Sequence, residues 1–170
     1  MAERKRNYEL LVVFDLNYAD SDLATEVEKL ESYLKENVED FKKEELGKRE
    51  FAYPIKKKRF GYYVVYYFKA PASWVKEELE KKLYHNEALL RYFIRNLDLR
   101  KPVILTIDGK KVDVDYKKID ILKRFLSEYQ KILPRKNTGL SQKYQKRIAK
   151  EIKIARIVGF LPFSAQCVES

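Results

Sequence analysis

The order of strand-like and helix-like segments in the first hundred residues constrains the fold of this 170-residue chain more than any other feature. Apolar side chains alternate in residues 8–16 and again in 89–97, and residues 61–70 are dense in Tyr and Val, so all three segments are predicted to be strands. Residues 23–34 and 75–83 instead repeat apolar side chains at helical spacing.

The boundaries of these segments carry their own signals. Asp20 or Ser21 can cap the first helix, and Pro71 suits the first turn of the second. Residues 39–55 are less periodic: a strand is predicted near their end, with a possible bulge at Gly47, and KKKR (56–59) is predicted to be a loop. The resulting order, β-α-β-β-α-β over about 95 residues, predicts an α+β, ferredoxin-like fold with an antiparallel sheet and two helices.

The remaining residues are predicted to form a small, mostly helical module behind a hairpin. The segments VILTI (103–107) and KKVDV (110–114) flank Asp108-Gly109, a favoured type I′ turn pair. Asp115 is predicted to cap a helix that carries Ile119, Leu122, Phe125, Leu126 and Tyr129, and a loop with Pro134 and Gly139 follows. Ser141 is predicted to cap a last helix that ends near Val158, and LPFSAQCVES is predicted to be a tail. The predicted organisation is therefore a domain of residues 1–100, a hairpin linker of residues 101–114 and a module of residues 115–170.

Positive charge is concentrated in the second half of the chain. Residues 1–100 carry 20 basic and 19 acidic side chains, whereas residues 101–170 carry 16 basic and 7 acidic ones. A neutral half joined to a cationic half predicts a polyanionic partner, either nucleic acid or an anionic membrane surface.

The last predicted helix separates its charged and apolar side chains. At 100° per residue, Lys143, Lys146, Arg147, Lys150 and Lys153 cluster on one side, and the preceding loop adds Lys131, Arg135 and Lys136. Tyr144, Ile148, Ile152 and Ala155 lie on the other side, with Arg156 between the two. The plain interpretation is a solvated helix face. However, residues 131–156 contain nine cations and a single acidic residue, Glu151, and this excess of positive charge favours phosphate binding. The apolar stripe, with Phe125 and Leu126, is predicted to dock on the first domain.

Several classes of site lack support in the sequence. The single Cys167 and the single His85 make no zinc spacing, and no Gly-rich phosphate loop or nucleophile constellation appears, so we expect no metal, cofactor, small-molecule substrate or enzymatic activity. One cysteine fits a reducing compartment, and no segment approaches a membrane span, so a cytoplasmic, soluble protein is expected. Membrane binding by the last helix is disfavoured because its apolar face has small and β-branched residues.

The C-terminal half resembles bacterial small-subunit ribosomal protein eighteen. The matching motifs, in order, are DYK (115–117), FLS (125–127), KILPR (131–135), TG (138–139), Gln145, AR (155–156) and LPF (161–163). Gln130 stands where glycine is common in that family. The resemblance implies that this half binds small-subunit ribosomal RNA, with Thr138 and Arg156 among the RNA-binding residues.

The N-terminal half looks like bacterial small-subunit ribosomal protein six. The motifs are YE (8–9), ELG (45–47), AYPI (52–55) and GYY (61–63), placed within the predicted β-α-β-β-α-β order. In that family pair the two proteins bind each other and enter the central domain, or platform, of the small-subunit RNA together. The resemblance therefore implies a fused structural protein of the small ribosomal subunit, with that RNA and neighbouring ribosomal proteins as partners.

An RNA-recognition-motif protein is the alternative. That module has the same element order and stacks bases on exposed aromatic side chains of its sheet, here Tyr63 or Tyr67. Residues 58–65 match its octamer at four positions, Lys58, Phe60, Gly61 and Tyr62, and depart from it at Arg59, Tyr63 and Val65.

Overall fold

A computed structural model describes residues 4–16, 20–107 and 109–165. These residues divide into two compact units. The first comprises the residues up to Glu50 together with Lys56–Arg100, and the second comprises Phe51–Ile55 together with the residues from Lys101 onward. The predicted capping side chains Asp20 and Ser21, the turn residue Asp108 and the thiol of Cys167 lie outside what the structure describes.

The first unit has the predicted β-α-β-β-α-β order. Its elements are β1 (Lys5–Asp15), α1 (Asp20–Asn37), β2 (Glu39–Ile55), β3 (Lys58–Pro71), a second helical region and β4 (Leu89–Asn96). The helical region runs through α2 (Ala72–Trp74), a π-helical segment (Val75–Leu79) and α3 (Glu80–Tyr84). The strands lie in the order β2-β3-β1-β4, and β1 pairs antiparallel with both β3 and β4. The predicted ferredoxin-like fold is confirmed.

The core of this unit uses the residues that periodicity singled out. Alternate side chains of β1, from Tyr8 to Phe14, pack in one cluster with Leu30 and Leu34 of α1 and with Leu79 and Leu83 of the second helical region. Leu10, Leu34 and Leu79 are completely buried. At about 1.5–3 kcal/mol for each buried side chain of this size, the cluster supplies the main stabilisation of the unit.

Two local predictions in this unit were wrong in extent. β2 spans 17 residues, whereas a strand was predicted only near its end. It is an edge strand in which only Phe51 and Ile55 are buried, so few positions need an apolar residue and no alternation appears in the sequence. The predicted loop 56–59 shrinks to Lys56 and Lys57, because β3 already begins at Lys58. Gly47 has φ +73°, and its predicted bulge stays a prediction.

The second unit contains the predicted hairpin and three helices. β5 (Ile104–Ile107) and β6 (Lys110–Asp113) pair antiparallel, with Ile107 opposite Lys110. The helices are α4 (Ile119–Lys123), α5 (Arg135–Thr138) and α6 (Gln142–Ile157). The Ser141 side chain accepts a hydrogen bond from the Tyr144 N–H at 3.4 Å, which confirms the predicted cap of α6.

The helix predicted after Asp115 was wrong in its cap and in its length. Its N-cap residue is Lys118, and the Asp115 carboxylate instead accepts a hydrogen bond from the Tyr116 N–H at 2.7 Å. The helix ends at Lys123, and the chain then folds back so that Leu126 bridges to Ile132. The Ser127 hydroxyl accepts the Lys131 N–H at 3.1 Å, a local bond that competes with helix continuation.

Two further features of this unit follow from backbone and burial. Gln130 has φ +61°, in the left-handed region that favours glycine, which accounts for the frequent glycine at this position in the resembled family. The predicted tail is partly wrong, because Leu161 and Pro162 are buried. Within the described ranges, no helix is long and apolar enough to cross a membrane.

Candidate nucleic-acid interface

Helix α6 carries its cations and its apolar residues on different sides. Ile148, Ile152 and Ala155 of the predicted apolar stripe are at most 1% exposed, whereas Tyr144 is half-buried. The side chains of Lys143, Lys146, Lys150 and Lys153 are all exposed. A helix of this kind is fixed by its apolar side and leaves its cations available to a partner.

The loop before α6 brings further cations to the same unit. Pro134 precedes α5, and Gly139 closes it with φ +68°, a left-handed C-cap that glycine adopts without strain. The Gln145 amide of α6 donates to the Leu133 carbonyl at 2.7 Å, and the Thr138 hydroxyl donates to the Gln145 amide oxygen at 2.7 Å. These bonds hold the loop against the first turn of α6.

We call the exposed cations of this loop and helix the basic surface. It consists of Lys131, Arg135, Lys136, Lys143, Lys146, Lys150 and Lys153. None of the seven forms an ion pair with a carboxylate of the described residues, whereas Lys5, Lys29, Lys35, Lys43 and Lys58 of the first unit all do. Mutually repelling charges without counter-charges gain most from a phosphate backbone.

Three residues predicted to bind RNA already have bonds within the protein. The half-buried Arg156 guanidinium donates to the carbonyls of Gln130 and of Pro162, the latter at 3.2 Å, and partial burial lowers the pKa of Arg156. Arg147 donates to the Pro102 carbonyl at 3.1 Å, and Thr138 bonds to Gln145. The RNA contacts predicted for these three residues stay predictions. In the structure, the bonds of all three order the chain around the basic surface.

The acidic residue of this segment points into the protein rather than toward the cations. Glu151 is only 4% exposed, and its carboxylate accepts the Tyr116 N–H at 3.2 Å. Sequence reasoning counted Glu151 as a partial offset to the neighbouring lysines. Its burial leaves α6 without an exposed acidic side chain.

Several exposed cations of the second unit escaped sequence reasoning. Lys110, Lys111, Lys118 and Lys123 are all exposed. They contribute to the high positive charge of residues 101–170, but the site residues were chosen only from residues 131–156. Lys118 differs from the others, because its ammonium donates to the Asp113 carbonyl at 2.9 Å.

A short piece of β2 belongs to the same unit as the basic surface. The Tyr53 hydroxyl donates to the Arg156 carbonyl at 2.6 Å, and the Ala52 N–H donates to the Gly159 carbonyl at 2.8 Å. The Tyr53 ring also meets the Phe163 ring edge-on, with centroids 5.4 Å apart. Residues 51–55 therefore satisfy the C-terminal end of α6, where helix carbonyls lack partners of their own.

The predicted docking residues divide by burial. Ile148 and Ile152 are buried, whereas Phe125, Leu126 and Tyr144 are half-buried. Their docking role stays a prediction.

The structure argues against base stacking on Tyr63, one of the two sheet residues named for the RNA-recognition-motif alternative. Tyr63 is 0% exposed, so its ring is not available to a base. Tyr67 is half-buried, and its hydroxyl donates to the Glu44 carboxylate at 2.8 Å.

Among the described residues, no group of three or more His, Cys, Asp or Glu could hold a metal ion.

Comparison with known proteins identifies both halves. Residues 7–96 match the family model of ribosomal protein S6, and residues 110–161 match that of ribosomal protein S18. The small ribosomal subunit protein bS18 of Lactobacillus helveticus is 60% identical over 53 residues, which cover 31% of this chain and 69% of that protein. The bS18 protein of Lactobacillus acidophilus is also 60% identical over 53 residues, 31% of this chain and 68% of its own.

Among solved structures, the crystal structure of 30S ribosomal protein S6 from Thermotoga maritima is similar, with a TM-score of 0.49 and 27% identity. It covers 55% of this chain and 88% of that one. The family matches occupy separate, consecutive parts of a single polypeptide. The chain therefore belongs to the ribosomal protein S6 family through residues 7–96 and to the ribosomal protein S18 family through residues 110–161.

Proposed function

We propose that this chain is a structural component of the small ribosomal subunit and that it binds the central domain of the subunit's RNA through the basic surface. The observation that carries this proposal is the set of seven exposed cations that have no carboxylate partner among the described residues. The proposed partners are that RNA and neighbouring small-subunit proteins, and the proposed location is the small ribosomal subunit in the cytoplasm. Membership of two ribosomal protein families supports the assignment.

The two kinds of polar group in the second unit have different proposed roles. Some polar side chains form hydrogen bonds with partners inside the unit and so position the loop and helix; these are Arg156, Gln145 and Ser141. The exposed lysines and Arg135 hold the RNA backbone as point charges. Phosphate contacts of this kind supply affinity and register but little sequence preference, so specificity comes from the shape of the folded RNA.

The salt dependence of RNA binding tests this proposal. If about five to eight phosphates are neutralised, log K against log salt on a central-domain fragment of bacterial small-subunit ribosomal RNA has a slope of roughly −4 to −7. The measurement is a filter-binding or fluorescence titration of the full chain at several salt concentrations. A slope shallower than about −2 means that the basic surface only confers solubility, and the proposal then fails.

A further inference from the structure

The turn between β2 and β3 is built from two residues that its backbone disfavours. Lys56 and Lys57 alone connect the strands, and both have left-handed φ values, 49° and 64°. Two-residue hairpin turns with positive φ at both positions favour Asn-Gly, because a β-carbon on a long side chain crowds this backbone. Lysine at both positions works against local stability, and strain of this kind is concentrated at functional sites.

The side chains around this turn form a cationic tip with an exposed aromatic ring. Lys57, Arg59 and Lys48 are exposed, and none of them is paired with a described carboxylate. Phe60 is 42% exposed, and the Lys48 ammonium lies 5.2 Å from the centroid of its ring. We call Lys48, Lys57, Arg59 and Phe60 the hairpin tip.

Two neighbouring lysines have a different role. The Lys58 ammonium lies 3.5 Å from the Asp15 carboxylate, and the Lys56 ammonium donates to the Leu89 carbonyl at 3.3 Å. These contacts tie the base of the turn to the rest of the first unit. The tip therefore presents Lys57, Arg59 and Phe60 from a fixed support.

We propose that the hairpin tip is a second RNA-binding site, in which Lys57 and Arg59 contact phosphates and Phe60 stacks on an unpaired base. It lies in the first unit, whose net charge gave no sign of such a site, and it is separate from the basic surface. The inference rests on the proposed RNA-binding function. Cations beside an exposed ring match the alternation of phosphate and base in a nucleic acid strand. A lipid surface instead favours a broad amphipathic face, which a two-residue turn does not offer.

The double variant K56N/K57G separates RNA binding from stability, because the two effects have opposite signs. Asn-Gly suits the turn backbone, and relief of the disfavoured conformation at both positions outweighs the loss of the single bond from Lys56 to the Leu89 carbonyl, so the melting temperature rises by about 2–4 °C. Affinity for the central-domain RNA fragment falls by about five-fold, and the salt slope becomes shallower by about one unit, because one proposed phosphate contact, that of Lys57, is lost. A loss of affinity in a more stable protein cannot come from unfolding.

Phe60→Leu gives a second measurement that does not depend on the turn. It keeps an apolar side chain but removes the aromatic face, so affinity falls by about five-fold or more while the salt slope stays as in the parent. The matched control is K76Q/K81Q, which removes two positive charges from exposed lysines elsewhere in the same unit. This control stays within about two-fold of the parent.

The outcomes distinguish the hairpin tip from the basic surface. If K56N/K57G and Phe60→Leu bind RNA like the parent while lysine variants of α6 lose affinity, the inference is wrong and the proposed function stands. If variants of both sites bind like the parent, both ideas fail. If K76Q/K81Q loses as much affinity as K56N/K57G, only net charge matters and the tip is not a site. If K56N/K57G and Phe60→Leu lose binding to phosphatidylglycerol vesicles but bind RNA like the parent, the tip contacts lipid instead, and the inference is also wrong.

Discussion

Changing Lys143, Lys146 and Lys150 to Gln lowers the affinity for the central-domain RNA fragment ten-fold or more and makes the salt slope shallower by about two to three units. Each lysine is exposed on α6 and has no carboxylate partner among the described residues, and the proposed function assigns each of them a phosphate contact. Gln has nearly the helix propensity of Lys, so the melting temperature stays close to that of the parent. Arg147 is left unchanged because its guanidinium donates to the Pro102 carbonyl.

The control for this variant removes the same charge from the other unit. Lys42, Lys76 and Lys81 are also exposed, and K42Q/K76Q/K81Q lowers the net charge equally. We expect this control to bind within about three-fold of the parent, because surface charges that make no direct phosphate contact are largely screened at physiological salt. Equal losses in both triple variants would falsify the assignment of the basic surface, since binding would then follow net charge alone.

The isolated fragment 101–170 is expected to be largely unfolded, whereas the fragment 1–100 folds alone. Dividing the chain after residue 100 removes residues 51–55 from the second unit, to which they belong. The fragment loses the bond from the Ala52 N–H to the Gly159 carbonyl and that from the Tyr53 hydroxyl to the Arg156 carbonyl. A 70-residue segment with a net charge of +9 also buries little apolar surface and repels itself.

Circular dichroism and thermal melting of the two fragments check this expectation. Fragment 101–170 shows little helix by itself, and fragment 1–100 melts cooperatively. Adding fragment 1–100 supplies residues 51–55 in trans and restores helical signal beyond the sum of the separate spectra. A cooperative melt of 101–170 alone contradicts the claim that the module depends on this piece of β2.

The elements that could be predicted from sequence are those whose periodicity is imposed by burial. β1 and α1 contribute alternating or helically spaced side chains to one core, so their pattern is visible in the chain. The buried side of α6, with Ile148 and Ile152, was predictable for the same reason. The edge strand β2 has few buried positions and therefore no such pattern, so its length could not be predicted from the sequence.

The parts that could not be predicted depend on single hydrogen bonds or on contacts distant in sequence. The helix α4 ends at Lys123, and the chain then folds back so that Ser127 and Lys131 bond to each other, which helical spacing does not reveal. The pairing of Tyr53 with Arg156 joins residues 103 positions apart. Charge alone could not distinguish Lys150, which is exposed, from Arg156, whose guanidinium serves the fold.

Co-sedimentation with small ribosomal subunits after a high-salt wash tests the central claim most directly. Cell lysate that contains the full chain is separated on a sucrose gradient, and the chain is quantified in each fraction by an antibody or by mass spectrometry. We predict that it remains with the small subunit at about one copy per particle, because shape-specific RNA contacts add to the salt-sensitive ones. Recovery of the chain in the soluble fractions, with small subunits free of it, would contradict its assignment as a structural component of that subunit.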